Sequence, residues 1–293
     1  MKINSIANYY KEKYGYRVFK IGLSTNIQCQ KRKENDPCYF CLKNTFTDTE
    51  IDQKNISITE QIEYLIDKLK TKVKAEGYIA YFQDTAITEE NQKYHTHIFT
   101  EAANHPKILE LSIATRPDNI SKQFLDTIST IEKPITIEIG IQTTNDKSLK
   151  YLNRGHTQTQ NQNAINILKD YKYRVGIHII LGIPTDDIND VNNTIQWIND
   201  QKIIADVKIH HLAVFKGAIL ENIIKKEEII DLEKYIPLLA HFIKNIRKDI
   251  TISRLFTSNL NRHQSMINNF PGIKRQWINK FQKYWLLHPH HPQ

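Results

Sequence analysis

The chain is poor in cysteine. It has three in 293 residues, all within one stretch, CQKRKENDPCYFC, from Cys29 to Cys41. A secreted disulfide framework usually carries a larger and even number. These thiols therefore point to a cytoplasmic setting and to metal or redox chemistry. Long apolar runs are also missing, and none reaches the eighteen residues of a membrane span. The N-terminus, MKINSIANYYKEKYGYRV, lacks the apolar core of a signal peptide. Glycine and proline are scarce, nine of each, and no Pro/Gly/Ser-rich linker appears before about residue 250. The expectation is one core over residues 1–255 and an extension over 256–293. Acid is almost absent from the end of the chain. Lys244 to Gln293 hold nine Lys/Arg against Asp249 alone, which accounts for the whole net charge of +8. Phe256, Phe270, Trp277, Phe281, Tyr284 and Trp285 lie among those charges. Basic residues interleaved with aromatics suit tRNA or another RNA, and they equally suit a solvated amphipathic helix.

What is present is a repeating order of short β-rich runs and helical periods. The runs are Tyr16–Leu23, Tyr78–Gln83, Ile108–Ala114, Ile135–Ile141, Val175–Leu181, Val207–Leu212 and Ile250–Leu255. Between them, SITEQIEYLIDKLKTKV puts Ile62, Leu65, Ile66, Leu69 and Val73 on one helical face, and Ser57 with Glu60 has the capping-box spacing. DINDVNNTIQWI repeats Ile188, Val191, Ile195 and Ile198 at threes and fours. Further helical stretches cover Glu89–Ala103, Lys122–Ile131, Thr157–Asp170 and Asp231–Lys248. Strand and helix in alternation predict an α/β fold with a parallel sheet. The chain is short for a closed eight-unit barrel. We expect an open partial (β/α)6 barrel with a C-terminal helical extension. In such sheets ligands sit at the C-terminal ends of the strands.

The cysteines follow the first run closely, so they fall on a loop at that end. Cys38-x2-Cys41 is a chelating pair, and Cys29 needs its eight-residue loop to swing back. Structural zinc wants four protein ligands. An iron–sulfur cube on three thiolates leaves one iron open to a substrate or cofactor. Three incidental thiols are the remaining reading, and spacing alone leaves all three open.

The surroundings of the cysteines carry a resemblance. YRVFKIGLSTNIQCQ…PCYFC, followed in order by YFQDTAIT, LSIATRPDNI, IEIGIQTTNDKSLKYLNRGHT, GIHIILGIPTD and KIHHLAVFKGAIL, resembles the radical S-adenosylmethionine (SAM) superfamily. It is most similar to the YhcC-type bacterial family, a relative of the radical SAM domain of elongator subunit three. The likeness covers roughly residues 16–255. It implies a 4Fe–4S cluster on Cys29, Cys38 and Cys41, with SAM on the open iron. The activity implied is reductive cleavage of SAM and hydrogen abstraction from an unidentified substrate, supported by an electron donor such as flavodoxin or ferredoxin. The resemblance also proposes cofactor contacts. Phe40, just before the last cysteine, would cover the cluster. Gln83 and Thr85 occupy the position where the family holds the SAM amino group, without the glycines usual there. Gly182 and Pro184 stand where adenine is placed.

Other candidates rest on chemistry. The fork of Arg116 suits a carboxylate, either a ligand's or that of Asp118. Glu138 and Gln142, four apart on one strand, share a face. A ribose or an internal lysine or arginine would satisfy the carboxylate. Arg154 and His156 of the NRGH segment are candidates to reach substrate. His178, His210 and His211 lie on strands, where histidine is usually a satisfied core group. The first cysteine gap is shorter than in the YhcC-type relatives, and the end of the chain matches them poorly. The competing reading is a non-catalytic zinc or iron–sulfur binding module with a basic nucleic-acid-binding surface.

Overall fold

The computed structural model describes residues 3–27, 29–42, 56–83, 89–257, 266–267, 270 and 272–289. Its helices are α1 (Ile6–Tyr14), α2 (Gln30–Lys33), α3 (Ile58–Leu69), α4 (Gln92–Asn104), α5 (Lys122–Ile128), α6 (Asp146–Tyr151), α7 (Gln158–Leu168), α8 (Ile188–Asp200), α9 (Ile219–Ile223), α10 (Leu232–Asn245) and α11 (Lys274–Leu287). The strands are β1 (Val18–Leu23), β2 (Gly77–Phe82), β3 (Ile108–Thr115), β4 (Ile135–Gln142), β5 (Arg174–Leu181), β6 (Ile204–His211), β7 (Val214–Phe215), β8 (Thr251–Arg254) and β9 (Met266–Ile267).

Seven strands form one sheet in the order β1-β2-β3-β4-β5-β6-β8. Every pairing in it is parallel. The order never reverses, so successive crossovers wind the same way and the sheet curls into a half-barrel. All seven predicted runs are strands. Helix ends are set locally: Ser57 and Glu60 close the expected capping box on α3, and Asp187 with Asp190 does the same for α8.

Alternation along the strands divides the two faces. In β4, Ile135, Ile137, Ile139 and Ile141 join the main core with Phe99, Phe124 and Leu168 from the helices. Thr136, Glu138, Gly140 and Gln142 take the other face. The helix-facing positions carry the apolar residues of these runs. The inner face is polar instead.

Helix α1 sits under the N-terminal ends of the strands. Its Tyr14 donates to Glu110 on β3 at 2.5 Å, and Lys13 pairs with the same carboxylate. Ile252 N donates to Asn4 O at 2.7 Å, which covers part of the β8 edge. Helix α11 packs on α10. Its aromatic residues turn inward: Trp277, Phe281 and Trp285 are buried, as are Phe256 and Phe270. Tyr284 stacks on His288 with centroids 4.0 Å apart. These aromatics therefore form core contacts. Burial of such rings contributes more than exposure to solvent can.

Candidate functional site at the C-terminal rim

The cysteine loop leaves β1 at the C-terminal edge of the sheet. Buried Gln61 of α3 fixes its exit by accepting from Ser24 N at 2.9 Å and donating to Ser24 O at 3.1 Å. Cys41 N donates to Cys38 O at 3.0 Å, a tight turn that keeps those two residues together. Cys38 is buried, and Cys29 and Cys41 are half-buried. Among the described residues, no three His, Cys, Asp or Glu side chains are placed to hold a single metal ion.

The NRGH segment clasps this loop. Asn153 Nδ2 donates to Pro37 O at 3.0 Å and also to Asp36. Tyr39 N donates to Leu152 O at 3.1 Å. Arg154 Nη1 donates to Cys38 Sγ at 3.3 Å, and Nη2 to Gly140 O at 2.9 Å. Gly155 has φ +66°, and a Cβ there would lie 3.0 Å from Lys31 Nζ, which pairs with Asp36 at 2.5 Å. The positive φ is what calls for glycine, since the ammonium end of Lys31 can move aside. His156 is buried, and burial, with the Arg154 and Arg116 charges, pushes it down to about 2. It is neutral and does not present itself as a base.

A second arginine reaches the thiols from within the loop: Arg32 Nη2 donates to Cys41 Sγ at 3.1 Å. Burial pushes the Cys41 thiol up, against the Arg32 charge. Arg116, at the end of β3, pairs with Asp118 at 2.8 Å and leaves Nη1 buried with no partner among the described residues. Burial works against its charge, but Asp118 and the nearby Cys38 and Cys29 hold it above its ordinary value. Three thiols surrounded by guanidinium groups are a donor set suited to an anionic sulfur-ligated centre.

The other expected contacts fall in different places. Phe40 packs beside the satellite apolar cluster of Leu152, Ile180 and Leu212, with Arg154 Cζ 5.9 Å from its ring centroid. Gln83 follows β2 directly and is half-buried; Thr85 lies outside the described residues. Gln142 is buried at the end of β4 with φ 71°, where the pairing with β5 shifts register. Gly182 has φ +82°, and a Cβ there would meet Ile230 Cγ2 at 2.6 Å. Ile230 packs against Gly182 on the side where a Cβ would stand. Pro184 belongs to the turn that follows.

Of the two partners expected for Glu138, a ribose or an internal lysine or arginine, the structure shows internal lysines. Glu138 is 1% exposed, and both its oxygens are taken internally. Oε1 accepts from Ser112 at 2.6 Å and pairs with Lys20. Oε2 meets His178 at 2.7 Å and Lys208 at 2.9 Å. Lys208 also donates to Tyr81 at 2.6 Å. Lys20, Tyr81, Ser112, Glu138, His178 and Lys208 come from six successive strands and form a polar belt across the half-barrel. Burial alone would push the Glu138 carboxyl up; Lys20, Lys208 and His178 outweigh it and hold it well below its ordinary range. Burial pushes Lys208 down to about 7, against Glu138, and His178 to about 4. Lys20 and Lys208 escaped sequence reasoning. The available signal was a charged residue on alternation inside an apolar run. His211 is packed against Phe270 at 4.3 Å and is a core group. His210 ring packs 5.7 Å from that of His178.

Residues 28–198, more than half of the chain, match the radical SAM superfamily, and the chain belongs to it. Protein YhcC of Escherichia coli K12 is 25% identical over 264 residues, which is 87% of this chain and 84% of that protein. A tRNA uridine(34) acetyltransferase of Methanocaldococcus jannaschii is 28% identical over 147 residues, half of this chain but only 26% of that protein. The solved structure of archaeal Methanocaldococcus infernus Elp3 with N-terminus deletion (1–46) aligns with a TM-score of 0.64 and 17% identity, over 92% of this chain and 63% of that one. That last likeness is one of fold. Among the described residues no helix is long and apolar enough to cross a membrane.

Proposed function

We propose that the chain is a radical SAM enzyme that holds one 4Fe–4S cluster on Cys29, Cys38 and Cys41. One observation carries this reading: all three cysteines of the chain lie in a single rim loop, and two of their sulfurs accept hydrogen bonds from Arg154 and Arg32. When bound, cluster and SAM supply one-electron cleavage of the sulfonium and abstraction of a hydrogen atom from the substrate. The chain's own residues orient and shield that chemistry. Arg116, Gln83, Thr85, Gln142 and Pro184 are the rim positions we assign to SAM. Arg116 Nη1, buried with no partner among the described residues, is the donor we assign to its carboxylate. Phe40 keeps water from the cysteine loop. Glu138 is assigned instead to the belt beneath, where it holds Lys20 and Lys208 in place. An electron donor of the flavodoxin or ferredoxin type is required.

Anaerobic reconstitution with iron and sulfide tests the reading. The expected protein is brown, binds about four irons per chain, and forms 5′-deoxyadenosine from SAM when reduced. A Cys29/Cys38/Cys41→Ala variant that still did so would falsify it, as would zinc without iron or sulfide in the anaerobically purified protein.

RNA, and tRNA in particular, is the substrate class we favour. It is supported by the partial similarity to the tRNA uridine(34) acetyltransferase and by the charge of 244–293. Residues 256–293 act in this reading as a basic extension. Binding of tRNA should weaken steeply with salt and drop when the exposed Arg275 and Lys283 are changed to Gln. Salt-independent binding would instead indicate an uncharged substrate.

A further inference from the structure

Asn153, Arg154 and Gly155 of the NRGH segment meet the cysteine loop, and Arg154 has the most specific place there. Its side chain is 7% exposed. One end of the guanidinium donates to Cys38 Sγ and the other to Gly140 O, so the plane is held at two points. Gly140 makes the room: a Cβ there would come within 3.0 Å of Arg154 Nη2. Among the described residues no carboxylate pairs with Arg154, so its charge is spent on the sulfur. Arg32 makes the equivalent contact with Cys41 from a half-buried position.

We propose that Arg154, with Arg32 in support, sets the reduction potential of the centre on the cysteine loop by donating N–H···S hydrogen bonds to two of its three sulfur ligands. The inference rests on the cluster reading above. Reduction adds one electron, delivered by an external one-electron donor, and makes the centre one unit more negative; no bond in the protein forms or breaks. A buried cation beside the sulfur favours the more negative state, and hydrogen bonds to sulfur do the same. Burial keeps the interaction from being screened. Arg154 and Arg32 therefore raise the potential and bring the centre within reach of an ordinary cellular donor. They are positioning residues, and their effect is read in the potential itself.

The test is a dye-mediated redox titration of the reconstituted full chain, followed by electron paramagnetic resonance, after iron and sulfide have been counted. In R154Q the ratio of reduced to oxidised centre at a fixed applied potential should fall by about tenfold or more, a tenfold fall being 59 mV for one electron. R154K, which keeps the charge but loses the second anchor, should recover part of the shift. R32Q should shift in the same direction by less. An R154Q protein with the parent's iron and sulfide content and the parent's potential overturns the inference. Should R154Q fail to assemble a centre, R32Q decides on the same terms. A parent protein without iron would overturn the cluster reading itself, which is a separate outcome.

Discussion

The two ends of the half-barrel are built from similar residues and treated differently. At the N-terminal floor, Glu110 is held by Lys13 and Tyr14. Asp206 is held by Thr251 at 2.8 Å and by Ser253. Arg174 lies over the Tyr9 ring at 4.0 Å and donates to Ala205 O at 3.0 Å. Only Thr136 Oγ1 and Arg174 Nε remain buried there without partners among the described residues. At the rim, Thr115 Oγ1, Arg116 Nη1, Asn119 Nδ2 and Arg154 Nε are all in that state. Buried polar groups are normally paired, and each exception asks for an explanation. The floor spends its polar groups on closing the fold. The rim leaves more of them buried without partners among the described residues.

This contrast can be broken or sharpened by experiment. The largest effect should come at the rim. Cys38→Ala should abolish iron binding and 5′-deoxyadenosine formation while thermal unfolding of the apoprotein stays within a few degrees of the parent. A large loss of fold would mean that the loop supports the core after all.

Glu138→Ala lies between the two ends and should act on stability. It strands Lys20 and Lys208 in a buried place, a change that costs about 3–5 kcal/mol. Urea unfolding of the apoprotein measures it, and a cost below 1 kcal/mol would show that the belt relaxes freely.

Acid should weaken the whole fold. Burial pushes His95 and His178 down to about 4 and His211 to about 3. Their folded values lie below the unfolded value of 6.5. Between these limits the unfolded chain binds more protons, so stability falls as the pH drops below that value. Each group adds roughly 1.4 kcal/mol per pH unit. Unfolding compared at neutral and mildly acidic pH should show a loss of several kcal/mol by this arithmetic. An unchanged midpoint would contradict it.

The smallest pair is the sharpest comparison. Tyr14→Phe at the floor and Asn153→Ala at the rim should each cost about 1–2 kcal/mol. Only Asn153→Ala should also reduce iron retained after gel filtration, because Asn153 holds Asp36 and Pro37 of the cysteine loop. Equal iron in both variants would remove the functional distinction between the ends.

Much of this molecule is written in local periodicity. The seven β-rich runs, the α3 and α8 caps and the clustering of Cys29, Cys38 and Cys41 all follow from short-range pattern, and the radical SAM likeness follows from motifs in order. Other features needed residues far apart in the chain to meet. Glu138 draws its partners from β1, β3, β5 and β6, and no spacing in the sequence announces that. Ile230 fills the space above Gly182, so a glycine that reads as a ring-binding turn is also a packing requirement. The aromatics of 256–293 look available in a basic segment, yet α11 turns them into the core.

Element order and the clustering of the three thiols in one loop were therefore determined by the sequence alone, because each depends on neighbours a few residues away. Which charges meet, which sulfur receives which arginine and which end of the half-barrel is sealed were decided only when the sheet curled. Curling brings together side chains separated by a hundred residues or more, as Arg154 and Cys38 are by 116, and such pairings leave no periodic trace.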